Sequence, residues 1–381
     1  MELEELRKQI DGTDRELVKL FKQRMDLSAA VAEYKIEKGL PVLDASRERA
    51  LLAKVAELSG EEFEDYTRTL YSTILDLSRS YQHKKMGSTS SFCDEISKAI
   101  ESTPKIFPEK AAVACQGVEG AYSQIAAERL FKAPDILFFP SWEKVFSAID
   151  SGLCKYGVIP IENSTAGSVK KVYDLMVSHR FRIVRTVRIK IDHNLLAKPN
   201  TRLEDIKEIF SHEQAISQCE GFLSTFGKDV KITPVANTAK AAEMVANSSR
   251  GDVASLSSRS CAVQYGLKAI ATSVQDNGNN HTRFICIAKD TEIYPGADRT
   301  SIMLVAPHKP GSLYRILARI NALGINLLKL ESRPIPDRDF EFMFYFDIEA
   351  SVYSEKFIEL LAELEQECEE FAYLGSYSEV I

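Results

Sequence analysis

The 381-residue sequence predicts a multidomain protein with an all-α first module, an α/β second module and an α+β, ferredoxin-like third. Three observations carry this prediction. Apolar residues recur at helical spacing through the first 34 residues, and no strand pattern precedes residue 85. From Ala111 the rhythm changes to strands alternating with helices. Residues 297–381 read strand, helix, strand, strand, helix, strand, which is the split order of ferredoxin-like folds.

In the first module Leu3, Leu6, Ile10, Leu17, Leu20, Leu27, Val31 and Tyr34 form a heptad seam, interrupted at Thr13 and Arg24. At ~1.5 Å per residue the helix is ~50 Å long. A stripe of that length has to pack on other helices or on a second copy of the chain. Gly39 and Pro41 stop it, a second helix starts after Asp44, and a third runs from about Glu62 to His83. Residues 84–92 (KKMGSTSSF) read as the start of a linker over 86–107 that carries a short amphipathic stretch before Pro104 and Pro108.

In the α/β module, expected over 108–290, AAVACQ, KYGVIPIENS, DVASLSS and HTRFICIAK are strands. Residues 182–197 alternate well enough for one long strand or two short ones. AYSQIAAERLF, residues near 168–178 and AAEMVA are helical. In the third module SIMLVA, INLLKLESRP, FEFMFYFDIEA and EFAYLGSY are strands, and PGSLYRILARINALG and YSEKFIELLAELEQE are helices.

Composition excludes several functions. Net charge is −7, and the last module is strongly acidic while the middle is near neutral, so no block offers the positive field that nucleic acid requires. Apolar runs such as ILFF at 136–139 are far too short to span a membrane. The N-terminus MELEELRKQI has no signal-peptide core, which predicts a cytoplasmic protein. The seven cysteines form no CxxC pair and the six histidines no HxxxH, so reduced thiols and no metal or other cofactor are expected.

Arg24 occupies a seam position where the pattern wants an aliphatic residue, and a charge there has to be paired or hold an anion. Lys35 lies three turns further along, roughly on the same face, and Arg7 is on the same helix. Arg47 and Glu48 follow the loop, and Ser78 and Gln82 share one face of the third helix. No nucleophile sits beside a base. The set suits a small polyanion whose reaction needs charge stabilisation, or a salt-bridged helix dimer.

LRKQI, LVKLFKQRMDL, AAVAEYK, PVLDASRER and DLSRSYQ resemble the all-helical chorismate mutase family over the whole first module. The resemblance places Lys35 and Gln82 as donors to the breaking ether oxygen of chorismate, a pericyclic reaction without an acid–base step. It places Arg7, Arg24, Asp44, Arg47, Glu48 and Ser78 as substrate-binding residues, with Glu48 taking the substrate hydroxyl. It also implies an intertwined homodimer in which Arg7 reaches the partner's site.

In the middle module GVEGAYS is a glycine loop opening a helix, a weak anion signal on its own. PIENSTAGSV, FSHEQAISQC and QDNGNNHTRF place amides, hydroxyls and charges at strand ends. Together they resemble the prephenate dehydratase family over about 108–290. This implies two α/β lobes like type II periplasmic binding proteins, with substrate in the cleft between them. Thr282 is then the catalytic candidate, acting as a positioned hydrogen-bond donor to the departing hydroxyl. Glu162, Asn163, Ser164, Thr165, Ser211, His212, Arg283 and Phe284 are expected around prephenate. Glu162 and Asn163 either orient substrate or brace the cleft, and Arg283 either binds a carboxylate or holds its strand.

PGSLYRIL and ESRP in the third module resemble the ACT regulatory domain. That implies L-phenylalanine as effector, bound by Gly311, Ser312, Leu313, Glu331, Ser332, Arg333 and Pro334. The three resemblances agree on one bifunctional family of phenylalanine biosynthesis. Arogenate as dehydratase substrate stays open, as does an inactive amino-acid sensor. No GxGxxG occurs for a dehydrogenase.

Overall fold

The computed structural model describes residues 2–85, 91–227, 229–335 and 341–380. Four helices come first: α1 (Leu3–Lys38), α2 (Ala45–Ser59), α3 (Glu64–Lys85) and α4 (Ser91–Ser102). There follow β1 (Ala112–Gln116), α5 (Tyr122–Leu130), β2 (Asp135–Phe139), α6 (Trp142–Asp150), β3 (Tyr156–Asn163), β4 (Gly167–Ser168), α7 (Lys170–His179) and β5 (Arg182–Lys190). Next come β6 (Asn194–Ala197), β7 (Glu208–Ser211), α8 (Glu213–Ser217), α9 (Glu220–Ser224), β8 (Lys231–Pro234), α10 (Thr238–Asn247), β9 (Val253–Ser257), α11 (Arg259–Gln264), β10 (Lys268–Ala271) and β11 (His281–Ala288). The chain ends with β12 (Arg299–Val305), α12 (Ser312–Ala322), β13 (Asn326–Pro334), β14 (Phe342–Glu349), α13 (Glu355–Glu367) and β15 (Glu370–Val380).

The chain divides into two compact units. The first holds Met1–Glu95, Ala306–Gly324 and Glu355–Glu369, so α12 and α13 group with the N-terminal helices. Gly39, in the left-handed conformation, caps α1 through its N–H on the carbonyls of Ile36 and Lys35. The Asp44 side chain accepts from the Arg47 N–H and starts α2. The predicted seam is present but uncovered: Leu3, Ile10, Leu17, Leu20 and Leu27 are each more than half exposed. Residues 86–90 of the expected linker lie outside the described residues. The linker's amphipathic stretch is α4, which buries Phe92, Ile96 and Ala99, a stripe at helical spacing.

The second unit comprises Ile96–Val305, Ile325–Ser354 and Glu370–Ile381. Its larger sheet runs β13-β14-β12-β15-β5-β11-β3-β1-β2, with β4 added on β3. Its smaller sheet runs β10-β6-β9-β7-β8. Residues 182–197 are thus two strands, one in each sheet. The third module has the expected strand order, but it does not stand apart. The end of β15 pairs parallel with β5 (Ser378 with Arg185, Val380 with Val187), so its strands continue the sheet of the middle module. Gly375 permits the crossing: its φ is +133°, and a Cβ there would lie 2.2 Å from the Ile183 carbonyl oxygen. Ile159, Ile161, Ile183 and Ile285 pack on one face of the larger sheet, and Val113, Val158, Val187 and Phe284 on the other.

Candidate active sites

In the helical unit α1 and α3 bring four of the predicted residues together. The Arg24 guanidinium donates to Ser78 Oγ. Lys35 Nζ donates to Gln82 Oε1 at 3.3 Å and to the Val42 carbonyl. Ser78 and Gln82 are buried, one turn apart on α3. Both cations therefore rest on neutral acceptors, which leaves their charge available to an anion. Burial pulls the Arg24 guanidinium down, opposed by Tyr71 and Glu48. Glu48 is held by Arg79, whose Nη1 lies 2.5 Å from both carboxylate oxygens and which also pairs with Asp76. Arg79 lies within DLSRSYQ, where no sequence signal sets it apart from its neighbours. Asp44 acts as a helix cap, and the Arg47 N–H it receives holds its carboxyl low. Arg47 and Arg7 are exposed. Arg7 stays outside the cluster, beside the uncovered seam.

The second unit contains a cleft of about 580 Å³ between the two sheets. Five helices begin at its wall, contributing Ala121 and Tyr122 (α5), Ser141 and Trp142 (α6), Val169 (α7), His212 and Gln214 (α8), and Asn237 and Thr238 (α10). The first turns of α5, α6 and α7 receive no side-chain cap. Their N–H groups and dipoles favour an anion. Among the described lining residues the cation is Lys171, itself paired with Glu143.

Of the candidate residues, Thr282, Phe284, Asn163 and His212 line this cleft. Asn163 Oδ1 accepts from the N–H groups of Thr165 and Ala166, and its Nδ2 donates to Thr282 Oγ1 at 2.9 Å. The threonine oxygen is thereby an acceptor towards Asn163, and its own proton is free for a ligand. A register shift makes this arrangement. Thr282 pairs with Asn163 and Arg283 with Glu162, but Phe284 pairs with Pro160. The extra residue on β3 puts Pro160 and Asn163 on the cleft side together.

The other candidate residues do not line the cleft. Glu162 and Arg283 face away from the cleft: Arg283 Nη2 lies 2.5 Å from Asp347 and 3.1 Å from Glu162. Lys329 Nζ reaches Glu162 at 2.9 Å and also meets Ser168, Tyr173 and Glu331. This arrangement favours strand-holding for Arg283 and bracing for Glu162. Strand alternation requires this once Thr282 faces the cleft. Ser211 is fully buried, its hydroxyl on the Leu256 carbonyl. Ser164 ties the end of β3 to Asn279 and His281, and Thr165 serves through its backbone. Gln218, His193 and Asn280 were not singled out from the sequence. Gln218 and Asn280 sit inside the quoted motifs, whereas His193 lies in what reads only as a strand.

The expected effector residues are also partly engaged. Gly311 precedes α12 with φ +79°, and buried Ser312 accepts from Arg315 at 3.0 Å; Leu313 is half-buried. Glu331 receives the Ser168 hydroxyl, and Arg333 donates to the Lys170 carbonyl and pairs with Asp174 at 2.8 Å. Ser332 and Pro334 are exposed. Among the described residues no group of His, Cys, Asp and Glu could hold a metal ion, and no helix is long and apolar enough to cross a membrane.

A cation cluster on helices and a cleft walled by helix N-termini define an enzyme class that handles small organic anions at two separate places. Residues 6–83 match the type II chorismate mutase family and residues 113–292 the prephenate dehydratase family. The chain is 29% identical over 385 residues to the bifunctional chorismate mutase/prephenate dehydratase of Aquifex aeolicus, covering 100% of this chain and 99% of that protein. It is 36% identical over 277 residues to arogenate dehydratase/prephenate dehydratase 2 of Arabidopsis thaliana, covering 70% and 72% of the two chains. The prephenate dehydratase of Arthrobacter aurescens, solved with L-Phe, superposes with a TM-score of 0.63 at 25% identity, covering 70% of this chain and 90% of that one. The chain belongs to the prephenate dehydratase family, with a chorismate mutase domain ahead of the dehydratase domain, and is a homologue of the bifunctional enzymes.

Proposed function

We propose that this chain converts chorismate to prephenate in the helical unit and prephenate to phenylpyruvate in the cleft, under feedback by L-phenylalanine. Arg24 and Ser78 bind a carboxylate, Lys35 and Gln82 donate to the ether oxygen as negative charge grows on it, and Glu48 accepts the substrate hydroxyl. In the cleft the uncapped helix ends hold the carboxylates. Loss of CO2 returns an electron pair that aromatises the ring as the hydroxyl departs. Thr282 donates a hydrogen bond to that leaving oxygen, which departs as hydroxide and takes a proton from solvent to end as water. The observation that carries this reading is the Asn163–Thr282 hydrogen bond, which turns the threonine proton towards the substrate.

The uncovered seam of α1 supports a homodimer, in which Arg7 completes the partner's site. The βαββαβ order supports an ACT module, and the phenylalanine-bound relative supports L-phenylalanine as its ligand. A cytoplasmic location fits a chain whose described residues include no membrane span.

The test is formation of phenylpyruvate from chorismate or prephenate, each with and without L-phenylalanine, and of phenylalanine from arogenate, by the full chain, alongside its mass in solution. Product from chorismate and prephenate, suppressed by phenylalanine, from a dimer is expected. Phenylalanine as product from arogenate alone replaces the dehydratase substrate. No turnover overturns the reading.

A further inference from the structure

The polar side chains on the floor of the dehydratase cleft form one chain with fixed donor directions, and we propose that His193 is its terminal positioning residue, a buried imidazole whose Nε2–H holds the Gln218 amide with its NH2 group towards the substrate. The inference rests on the dehydratase reading above and adds a residue to that site.

The directions follow one from another. The backbone N–H groups of Thr165 and Ala166 can only donate, so the atom of Asn163 they meet, at 3.0 and 2.9 Å, is the carbonyl oxygen. Asn163 Nδ2 must then donate, and it does so to Thr282 Oγ1 at 2.9 Å and to Asn280 Oδ1 at 2.8 Å. Asn280 Nδ2 in turn donates to Gln218 Oε1 at 2.9 Å. The remaining neighbour of Gln218 Oε1 is His193 Nε2 at 3.0 Å, which therefore carries the proton. With its oxygen occupied by two donors, Gln218 has only its NH2 group to offer the cleft it lines.

His193 lines the same cleft and is 3% exposed. Its ring Nδ1 is buried without a hydrogen-bond partner. Burial keeps the ring below the usual histidine range, despite the Gln218 bond and the nearby Asp192. A ring present only to fill space would avoid the cost of an unmet polar atom by being phenylalanine. The retained imidazole is explained by the one bond it makes. That bond ties the segment before β6 to the end of α8, so the two donors facing the substrate, Thr282 and Gln218, are set from one network.

Two conservative variants separate this from packing. Glutamine places an amide N–H near the position of Nε2, whereas asparagine places one near Nδ1. With prephenate as substrate, His193→Gln is expected to keep kcat within about fivefold of wild type. His193→Asn and His193→Phe are expected to lose about 100-fold in kcat with KM changed less than about threefold. Adding His193→Asn to Gln218→Leu is expected to cost nothing further, since the pair acts as a unit. Melting of each variant checks folding. Equal loss in His193→Gln and His193→Asn, tolerance of His193→Phe, or multiplicative losses with Gln218→Leu would each overturn the proposal. A wild-type chain inert towards prephenate would instead overturn the dehydratase reading.

Discussion

The helical cluster and the interlobe cleft suit small organic anions by different physical means. The helical cluster relies on side-chain cations, with Arg24 and Lys35 resting on neutral groups and Arg7 and Arg47 exposed nearby in sequence. The cleft relies on backbone: three uncapped helix starts and a network of neutral amides, with one lysine among the described lining residues, already paired. The difference matches the two reactions. A pericyclic shift needs charge placed beside one oxygen, and a flexible cation delivers it. Loss of a hydroxyl needs a donor with a fixed direction, and buried amides anchored on backbone supply that better than mobile charges.

The largest expected effects come from cutting each site separately. Lys35→Ala should lower chorismate turnover by about 10²–10³ while leaving prephenate turnover intact. Thr282→Val should do the reverse, and Thr282→Ser should retain most activity; steady-state assays on both substrates decide it. Next is the scaffold behind the cleft. Asp347 is 1% exposed and accepts from Arg283, Ser301 and Tyr345. Asp347→Asn should destabilise the second unit by about 2 kcal/mol, read from denaturant unfolding.

A smaller effect distinguishes the two regions by pH. The folded His193 imidazole takes its proton at lower pH than the unfolded one, because burial opposes the charge. Between the unfolded value of about 6.5 and the lowered folded one, the unfolded chain binds the extra proton, so stability falls on acidification through that window. His193→Gln should flatten this component in melting curves taken from pH 7.5 down to 5.5, and the helical unit should not follow it. The smallest effect is ionic. Raising salt from 50 to 300 mM should weaken KM for chorismate by roughly threefold and KM for prephenate by less, because exposed side-chain charges are screened more than buried dipoles.

Much of this was legible in the residues. The seam, its stop at Gly39 and the cap at Asp44 are local signals, and they hold. So does the strand and helix order of the last module, because alternation and turn residues act over short range. The register shift on β3 was not legible. It arises from pairing with β11, and it decides that Asn163 faces the cleft while Glu162 meets Lys329 and Arg283. The two-unit division was equally hidden, since it depends on β15 reaching β5 across nearly 200 residues of sequence. Thr282 could be picked out by motif, and alternation could have set Arg283 aside. His193 carried no motif; only the folded chain shows which amide it holds.

Two independent active sites in series on one chain can be separated by complementation. The most direct measurement is phenylpyruvate production from chorismate by Lys35→Ala alone, Thr282→Val alone, and the two mixed in equal amounts. The account predicts almost no product from either variant alone, accumulation of prephenate by Thr282→Val, and recovery of phenylpyruvate in the mixture. Failure of the mixture, with Lys35→Ala unable to use added prephenate, would contradict it.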